Sequence, residues 1–423
     1  MRLLVVAALA CGLFLAAALE AQAAIHVSAI SRTSAGVPAN GYSTTEGNGG
    51  MLSGDGKIAA FESNAANLPA GDGSTFRCYV RNIATGKTRI VSVTSNGVPA
   101  SSQTFSPAVS ADGRYVAFDG TGMGLPGANG AGQVWEHDLK TGKTFLVSKA
   151  NQGPPSAGGA YPSVSGDGRF VAFESSASNL PGGDGVHDFV YAHDRVTGKT
   201  ILVSRDNQGH PAFGQVYGQL LSADGRYVVY YSNDADLPAG NGTLFHVYVF
   251  DRKTGLTRVV DRNSTGAVAN GSSYEPSISA GGRFVAFDSH AANLPGGNVG
   301  SQSYLRDLKT GKTKLVSQNS SGAAQTESSL YPHVSADGRY VTFYADGSNL
   351  PGGDGLTDQI YLRDVQQGKT ILISKTANGT RGNDYSEYPS ISADGHWIEF
   401  YGNATNLGGN PNNQNVFRAG PIG

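Results

Sequence analysis

A nine-residue word that recurs along the chain limits most strongly what this sequence can fold into. One copy reads Ser-Gly-Asp-Gly-Arg-Phe-Val-Ala-Phe. Seven copies follow one another at a spacing of about 56 residues, and they begin at Ser53, Ser110, Ser165, Ser222, Ser279, Ser335 and Ser392. Such a period is typical of repeat architectures, in which each unit is completed by its neighbours.

Each repeat predicts four short strands, as the copy at Ser335 illustrates. Asp337-Gly338 supplies a tight turn, after which residues 339–344 alternate and are rich in aromatic and β-branched side chains. Residues 359–364 and 370–374 give a third and a fourth strand around a second tight turn. Longer loops join the second strand to the third and each repeat to the next. Four antiparallel strands repeated seven times predict an all-β, seven-bladed β-propeller.

The two ends of the repeat region predict how the ring closes. The last repeat stops after its third strand, at residues 415–418, and therefore lacks a fourth. Residues 25–31 match the fourth-strand pattern of the other repeats. We expect this N-terminal strand to complete the last blade, which would otherwise present an open sheet edge.

The N-terminus predicts export. An apolar run follows Met1-Arg2, and Ala21-Gln22-Ala23 is a small-x-small cleavage site, so residues 1–23 are a signal peptide cleaved after Ala23. Residues 24–423 then form a single propeller domain without a membrane span, located in the periplasm or secreted. The mature chain keeps one cysteine, Cys78, so it has no internal disulfide.

Charge and composition restrict the partners. The net charge is -2, and Lys and Arg are spread through the repeats, which argues against a nucleic-acid partner. We expect a monomer that binds a protein, peptide or glycan.

The repeats resemble those of TolB-type propellers of bacterial envelope and secreted proteins. The shared words are S-x-D-G-R-[YF]-V-A-F, the loop N-L-P-x-G-[DN]-G and the hairpin Y-x-R-D-x-x-T-G-K-T. The resemblance implies a propeller over the whole mature chain. It leaves function open, because such repeats occur in binding proteins, in propeller parts of peptidases and in some lyases.

Positions that are alike in all repeats are predicted to serve the fold. The Asp of S-x-D-G and the Asp at the end of the third strand are expected to cap turns. An aromatic column is expected to pack between blades, and it consists of Tyr79, Trp135, Tyr191, Tyr248, Tyr304 and Tyr361. Function is therefore expected on the opposite, long-loop face, where the repeats differ.

An Asp/Asn column in the long loops has two interpretations. The column consists of Asp72, Asn129, Asp184, Asn241, Asn298, Asp354 and Asn410. We expect Asx turns, because the column accepts Asn freely. The alternative is a calcium ion held by Asp184 with Asp188 and by Asp354 with Asp358. No other cofactor is predicted.

An aromatic collar precedes the first strands and is expected near one mouth of the central channel. Its members lie four or five residues before the repeat serine and are Phe105, Tyr161, Tyr217, Tyr274, Tyr331 and Tyr388. They are expected either to pack between neighbouring blades or to form a wall on which sugars or peptide side chains stack.

Polar residues near the collar break the repeat pattern. His333 replaces the Ser, Ala or Leu of most other repeats, and Glu275 and Glu387 flank collar tyrosines. The second strands end in carboxylates or tyrosines, namely Glu62, Asp119, Glu174, Tyr231, Asp288, Tyr344 and Tyr401. These groups are interpreted as solvated channel lining, or alternatively as a metal-binding or acid–base site.

Two functions follow from these features. The favoured one is a non-catalytic propeller that binds a protein, peptide or glycan on its long-loop face. The alternative is an enzyme at the channel mouth, such as a metal-dependent polysaccharide lyase or hydrolase that uses His333 with nearby carboxylates. The sequence contains no G-x-S-x-G or H-E-x-x-H motif.

Overall fold

The computed structural model describes residues 25–45, 47, 50–151, 158–297 and 300–423. The predicted signal peptide, residues 1–23, lies outside these ranges. Within them are 28 β-strands and one short 3-10 helix, Thr405–Leu407. In the described part of the chain no helix has the length and hydrophobicity needed to cross a bilayer.

The strands form seven four-stranded antiparallel sheets, which are the blades. Blades 1 to 3 are β2 (Ser43–Thr44), β3 (Ile58–Ser63), β4 (Arg77–Asn82) and β5 (Lys87–Ile90); β6 (Thr104–Val109), β7 (Tyr115–Gly120), β8 (Gln133–Asp138) and β9 (Lys143–Leu146); and β10 (Ala160–Val164), β11 (Phe170–Ser175), β12 (Phe189–Asp194) and β13 (Lys199–Leu202). Blades 4 and 5 are β14 (Val216–Leu221), β15 (Tyr227–Ser232), β16 (His246–Asp251) and β17 (Leu256–Val259); and β18 (Ser273–Ile278), β19 (Phe284–Ser289), β20 (Gln302–Asp307) and β21 (Lys312–Leu315). Blades 6 and 7 are β22 (Ser329–Val334), β23 (Tyr340–Ala345), β24 (Gln359–Asp364) and β25 (Lys369–Leu372); and β26 (Ser386–Ile391), β27 (Ile398–Gly402), β28 (Asn415–Gly420) and β1 (His26–Ala29).

The predicted ring closure is confirmed. Strand β1 pairs antiparallel with β28, with His26 opposite Gly420 and Ala29 opposite Phe417. The pairing extends beyond the strand, because the amide of Ile30 donates to the carbonyl of Val416 at 2.7 Å. The last blade therefore takes its outer strand from the other end of the chain.

The core lies between the blades rather than inside them. Seven clusters of buried apolar side chains each join two neighbouring blades. In every blade an aromatic pair joins the second and third strands, with ring centroids 5.5–6.0 Å apart. The predicted aromatic column supplies the third-strand member of six pairs and is fully buried. Its structural role is confirmed.

The repeated word forms the tight turn between the first and second strands. In blade 3 the Ser165 hydroxyl donates to Asp167 at 2.8 Å and accepts the amide of Phe170 at 2.9 Å. In blade 4 the Arg226 guanidinium donates to both carboxylate oxygens of Asp251, at 2.9 and 2.7 Å. Such an Arg–Asp pair recurs in blades 2 to 6. Hydrogen bonds from Arg226 lower the pKa of Asp251 to about 2. These carboxylates are structural, as predicted.

Candidate functional site

A β-bulge shapes the first strand of blades 2 to 7 at the long-loop end. Each of these strands shifts register against its neighbour, between Phe105 and Ala108 in blade 2 and at the equivalent places elsewhere. The extra residue has a positive φ, and in five of the six blades it is not glycine. The bulge residues are Ser106, Tyr161, Gly218, Glu275, Tyr331 and Tyr388.

The bulge divides the predicted collar into two structural positions. Tyr161, Tyr331 and Tyr388 are bulge residues themselves. The other three precede the bulge, and each pairs with the residue that ends the second strand of its own blade: Phe105 with Asp119, Tyr217 with Tyr231 and Tyr274 with Asp288. Since a bulge adds one residue, it redirects the side chains on either side of it. The collar is therefore two sets of aromatic residues rather than one ring.

The bulge residues surround a narrow mouth of the central channel. A cavity of about 50 Å³ lies here and is lined by Thr45, Glu275, Tyr331, His333 and Tyr388 among others. A second cavity of about 100 Å³ lies toward the tight turns, where small residues of the seven repeated words line it. Both can hold water, but pockets for drug-sized ligands measure roughly 300–1,000 Å³. Neither cavity is large enough for a sugar or peptide. Larger cavities of about 440–580 Å³ lie elsewhere on the propeller, beside residues such as Pro295, Arg283 and His26.

Two groups of aromatic rings occupy the long-loop face. In blades 6 and 7, Tyr388 lies 4.2 Å from Tyr331 and 5.2 Å from Tyr401, measured between ring centroids. In blades 4 and 5, Phe245 lies 5.5 Å from Tyr274 and 6.4 Å from Tyr217. The packing interpretation of the collar therefore holds for most of its members. Tyr161 and Tyr217 nevertheless keep 47% and 37% of their surface exposed.

The carboxylates that end the second strands join neighbouring blades. Glu62 accepts the bulge amide of Ser106 in the next blade at 2.6 Å, and Asp119 accepts that of Tyr161 at 3.4 Å. Glu174 and Asp288 bind the bulge amides of the following blades in the same way, and these are Gly218 and Tyr331. Each carboxylate thus satisfies a backbone donor that the bulge has removed from its sheet.

Burial of these blade-joining carboxylates raises their pKa values. Removal from water raises the pKa of Asp119 to about 6 and those of Glu174 and Asp288 to about 8. Neighbouring carboxylates add to the effect at Glu174 and Asp288. The groups are buried joints rather than solvated channel lining, which corrects the interpretation favoured from sequence.

Tyrosines take the place of the carboxylates in the other blades. The Tyr231 hydroxyl donates to Glu275 of the next blade at 3.1 Å, and Tyr331 also hydrogen-bonds this carboxylate. Burial raises the pKa of Glu275 to about 7 despite these donors. In blade 7 the Tyr401 hydroxyl donates to Glu387 at 3.2 Å. Glu275 therefore joins blades 4, 5 and 6 at the channel mouth.

His333 lies in the seam between blades 6 and 7. Its Nδ1 accepts the amide of Ile391 at 3.3 Å, and burial lowers the pKa of the imidazole to about 4. Ser163 and Ser277, which occupy the same place in blades 3 and 5, accept the equivalent amides at 2.8 and 3.1 Å. Among the described residues, no group of three or more His, Cys, Asp or Glu side chains is arranged to hold a metal ion.

The Asp/Asn column forms Asx turns in the long loops. Asp184 Oδ1 accepts the amides of Val186 and His187, both at 2.8 Å, and its Oδ2 contacts His187 Nδ1 at 2.6 Å. Asp354 Oδ1 accepts two loop amides, and its Oδ2 lies 2.6 Å from Arg381. Asn298 lies outside the described residues. Calcium binding with Asp188 and Asp358 remains a prediction.

Several exposed apolar side chains on this face were not identified from the sequence. Phe213 is 50% exposed and contacts His187 and Phe189, while Val186 and Leu356 at the loop tips are 77% and 85% exposed. Tyr42, just before β2, is 55% exposed. Their signal in the sequence is a large apolar residue at a loop position where other repeats have Ser, Thr or Asn.

No protein-family model matches the sequence, and neither does any curated protein. Solved structures do resemble it. An oligogalacturonate lyase in complex with manganese aligns at 14% identity over 93% of both chains, with a TM-score of 0.56. The β-propeller domain of the Trilobed protease from Pyrococcus furiosus aligns at 13% identity over 90% of this chain and 94% of that one, with a TM-score of 0.55. TolB from Acinetobacter baumannii aligns at 15% identity over 72% of this chain and 61% of that one, with a TM-score of 0.42.

At these identities the likeness concerns the fold alone. The propeller that the TolB-type repeats predicted is confirmed, with seven blades of four antiparallel strands. The Pyrococcus domain is described as having an open velcro topology. Here the terminal strands β1 and β28 pair with each other.

Proposed function

We propose that this protein is an exported, non-catalytic propeller that binds a protein, peptide or glycan through its long-loop face. It acts in the periplasm or outside the cell, after removal of the signal peptide. The fold alone does not identify the ligand, because structures of a lyase, a protease and TolB share it.

The observation that carries the proposal is a set of large apolar side chains that are exposed on one face. Tyr42, Tyr161, Val186, Phe213 and Leu356 are each 47–85% exposed and belong to long loops or to strand ends beside them. Exposed aromatic side chains supply contact area at low conformational entropy and are enriched at binding sites. Exposed apolar side chains on one face therefore offer contact area to a ligand.

The polar groups at the mouth support binding rather than catalysis. The carboxylates of the second strands, Glu275 and His333 already bind backbone amides or tyrosine hydroxyls of neighbouring blades. A general acid or base must reach a substrate proton, and the cavity that adjoins these groups measures about 50 Å³.

The test is a binding screen with matched surface variants. A glycan array and a displayed peptide library would be probed with the mature protein and with the triple variant Tyr161→Ser, Phe213→Ser, Tyr217→Ser. The control variant, Phe145→Ser, Val196→Ser, Leu256→Ser, removes three exposed apolar side chains from fourth strands and a tight turn. We expect a ligand that the control retains and the first variant loses, by about tenfold or more in affinity. Equal binding by both variants would refute the proposal.

A further inference from the structure

The charges of the propeller are separated between its faces. The segments that connect the second to the third strands contain no Lys or Arg in any of the seven repeats. The four residues before each first strand contain none either. The same segments carry Asp72, Asp184, Asp188, Asp234, Asp236, Glu327, Asp346, Asp354, Asp358 and Asp384.

Three arginines contact these loops and are already engaged. Arg77 at the start of β4 lies 3.0 Å from Asp72, and Arg381 lies 2.6 Å from Asp354. Arg32 donates to the carbonyl of Gly408 at 2.8 Å. Most other basic residues belong to the tight turns or to the fourth strands, which begin with Lys87, Lys143, Lys199, Lys312 and Lys369 in five blades. The long-loop face is therefore negative, although the net charge of the whole chain is only -2.

Exposed carboxylates and exposed aromatic rings both belong to this face. Asp188 is exposed in the same long loop as Val186, and Glu327 and Asp384 are exposed just before the first strands of blades 6 and 7. Tyr161 and Phe213 present ring surface to solvent. Aromatic faces attract cations, and nearby carboxylates reinforce that attraction. Both features favour a ligand with positive charge carried on long apolar side chains.

We propose that the long-loop face binds a lysine- or arginine-rich segment of a partner protein. This rests on the proposed function and specifies its ligand. Lys and Arg match both halves of the surface, since their aliphatic stems cover apolar groups while their charged ends reach the carboxylates. An anionic glycan such as an oligogalacturonate would instead meet a face whose segments supply carboxylates and no Lys or Arg.

Three fluorescein-labelled peptides of equal length and equal tyrosine content test this proposal. Their remaining positions are mainly Lys, mainly Gln or mainly Glu, and an oligogalacturonate serves as a fourth probe. Binding to the mature protein is measured by fluorescence anisotropy at about 50 and about 200 mM salt. A variant called the rim variant removes the three exposed carboxylates from the long-loop face through Asp188→Asn, Glu327→Gln and Asp384→Asn. The control variant, Asp112→Asn, Asp224→Asn, Asp337→Asn, removes the same charge from the tight-turn face, where an amide oxygen can still accept the turn's hydrogen bonds.

We expect the lysine peptide to bind, to weaken at the higher salt, and to lose about tenfold in affinity with the rim variant but less than about twofold with the control. Equal losses with both variants would overturn the proposal, because they indicate attraction to the protein's overall charge. Tighter binding of the glutamine peptide, the glutamate peptide or the oligogalacturonate would also overturn it. If such a ligand is lost with the Tyr161, Phe213 and Tyr217 triple variant, binding on the long-loop face survives while its cationic specificity does not. Absence of binding by the lysine peptide would also overturn the proposed specificity for cationic segments.

Discussion

The tight-turn face and the long-loop face are built from the same seven repeats but differ in how their polar groups are connected. On the tight-turn face the Asp side chains of the repeats bind partners within their own blade, as Asp251 binds Arg226. On the long-loop face a carboxylate such as Glu62 reaches the next blade to bind the bulge amide of Ser106. The carboxylates of the first face therefore act within blades, and those of the second act between blades. Backbone hydrogen bonds between tight turns, such as that from the amide of Gly166 to the carbonyl of Ala223 at 2.8 Å, also join neighbouring blades.

This difference shows that variation between repeats is not by itself a mark of function. Asp119 and Tyr231 occupy the same place in blades 2 and 4, and both contact the following blade. A carboxylate and a phenol can both join blades there because each binds a bulge residue of the next blade. Asp119 binds the backbone amide of that residue, whereas Tyr231 binds its side chain. The exposed loop tips beyond these joints are the variable positions left for a ligand.

Removal of the closing strand should have the largest effect, because both faces depend on the ring. Deleting residues 25–31 from the mature chain leaves β28 with an unpaired edge and removes Ile25, Val27 and Ala29 from the core between blades 6 and 7. We expect unfolding to become easier by about 5 kcal/mol or more, from the apolar burial and hydrogen bonds lost. Urea unfolding against the chain that begins at residue 24 measures this. An unchanged midpoint would contradict the closure.

The next largest effect should come from a pair of glycine substitutions, which we expect to lower stability more on the tight-turn face than on the long-loop face. Gly168 in the tight turn has φ +68°, and a Cβ there would overlap the Tyr115 ring of the neighbouring blade. Gly185 in a long loop has φ +83°, and its added Cβ would lie 3.3 Å from the nearest atom, in Ser178. We expect Gly168→Ala to cost about 3 kcal/mol or more and Gly185→Ala about 1 kcal/mol. Equal losses would mean that both faces tolerate side chains alike.

The buried carboxylates that join neighbouring blades should make the free energy of unfolding fall as pH rises from 6.5 to 8. Glu174 and Asp288 have folded-state pKa values raised to about 8, so the folded protein holds protons that the unfolded chain has released. Histidines with lowered pKa values near 4, such as His137 and His333, act mainly below pH 6.5, where the unfolded chain binds protons that the folded protein does not. Glu174→Gln should reduce the decline by about 1–2 kcal/mol, measured by urea unfolding at several pH values. The exposed control Glu327→Gln should leave the slope unchanged, and a parallel decline in both variants would count against the joints as its source.

His333 should show the smallest effect. We expect His333→Ala to lose about 1 kcal/mol because the amide of Ile391 loses its acceptor, and His333→Ser to restore most of it. Thermal unfolding measures the two variants, and metal analysis of the purified protein accompanies it. A bound metal that is lost with His333→Ser would instead favour the alternative of an enzyme at the channel mouth.

The sequence was sufficient for the fold because every blade repeats the same local signals. Turns such as Asp167-Gly168, the alternating strands and the fourth-strand pattern of residues 25–31 are all local. The bulges were harder to predict, since Tyr331 and Glu275 adopt a positive φ that such residues rarely take. A proline after most bulge residues, as in Tyr331-Pro332, was the available signal. The joints could not be predicted, because Glu62 and Ser106 are brought together only by the packing of two blades.

The pairing of the terminal strands also sets the order of events during synthesis. The contact between Ser31 and Val416 joins residues 385 positions apart, whereas the strands within a blade are neighbours in sequence. Blades can therefore assemble one after another as the chain emerges, but the first strand made has no partner until the last one appears. Throughout that interval an unpaired strand edge is open to other chains, so the pairing of β1 with β28 also protects the protein against edge-to-edge aggregation.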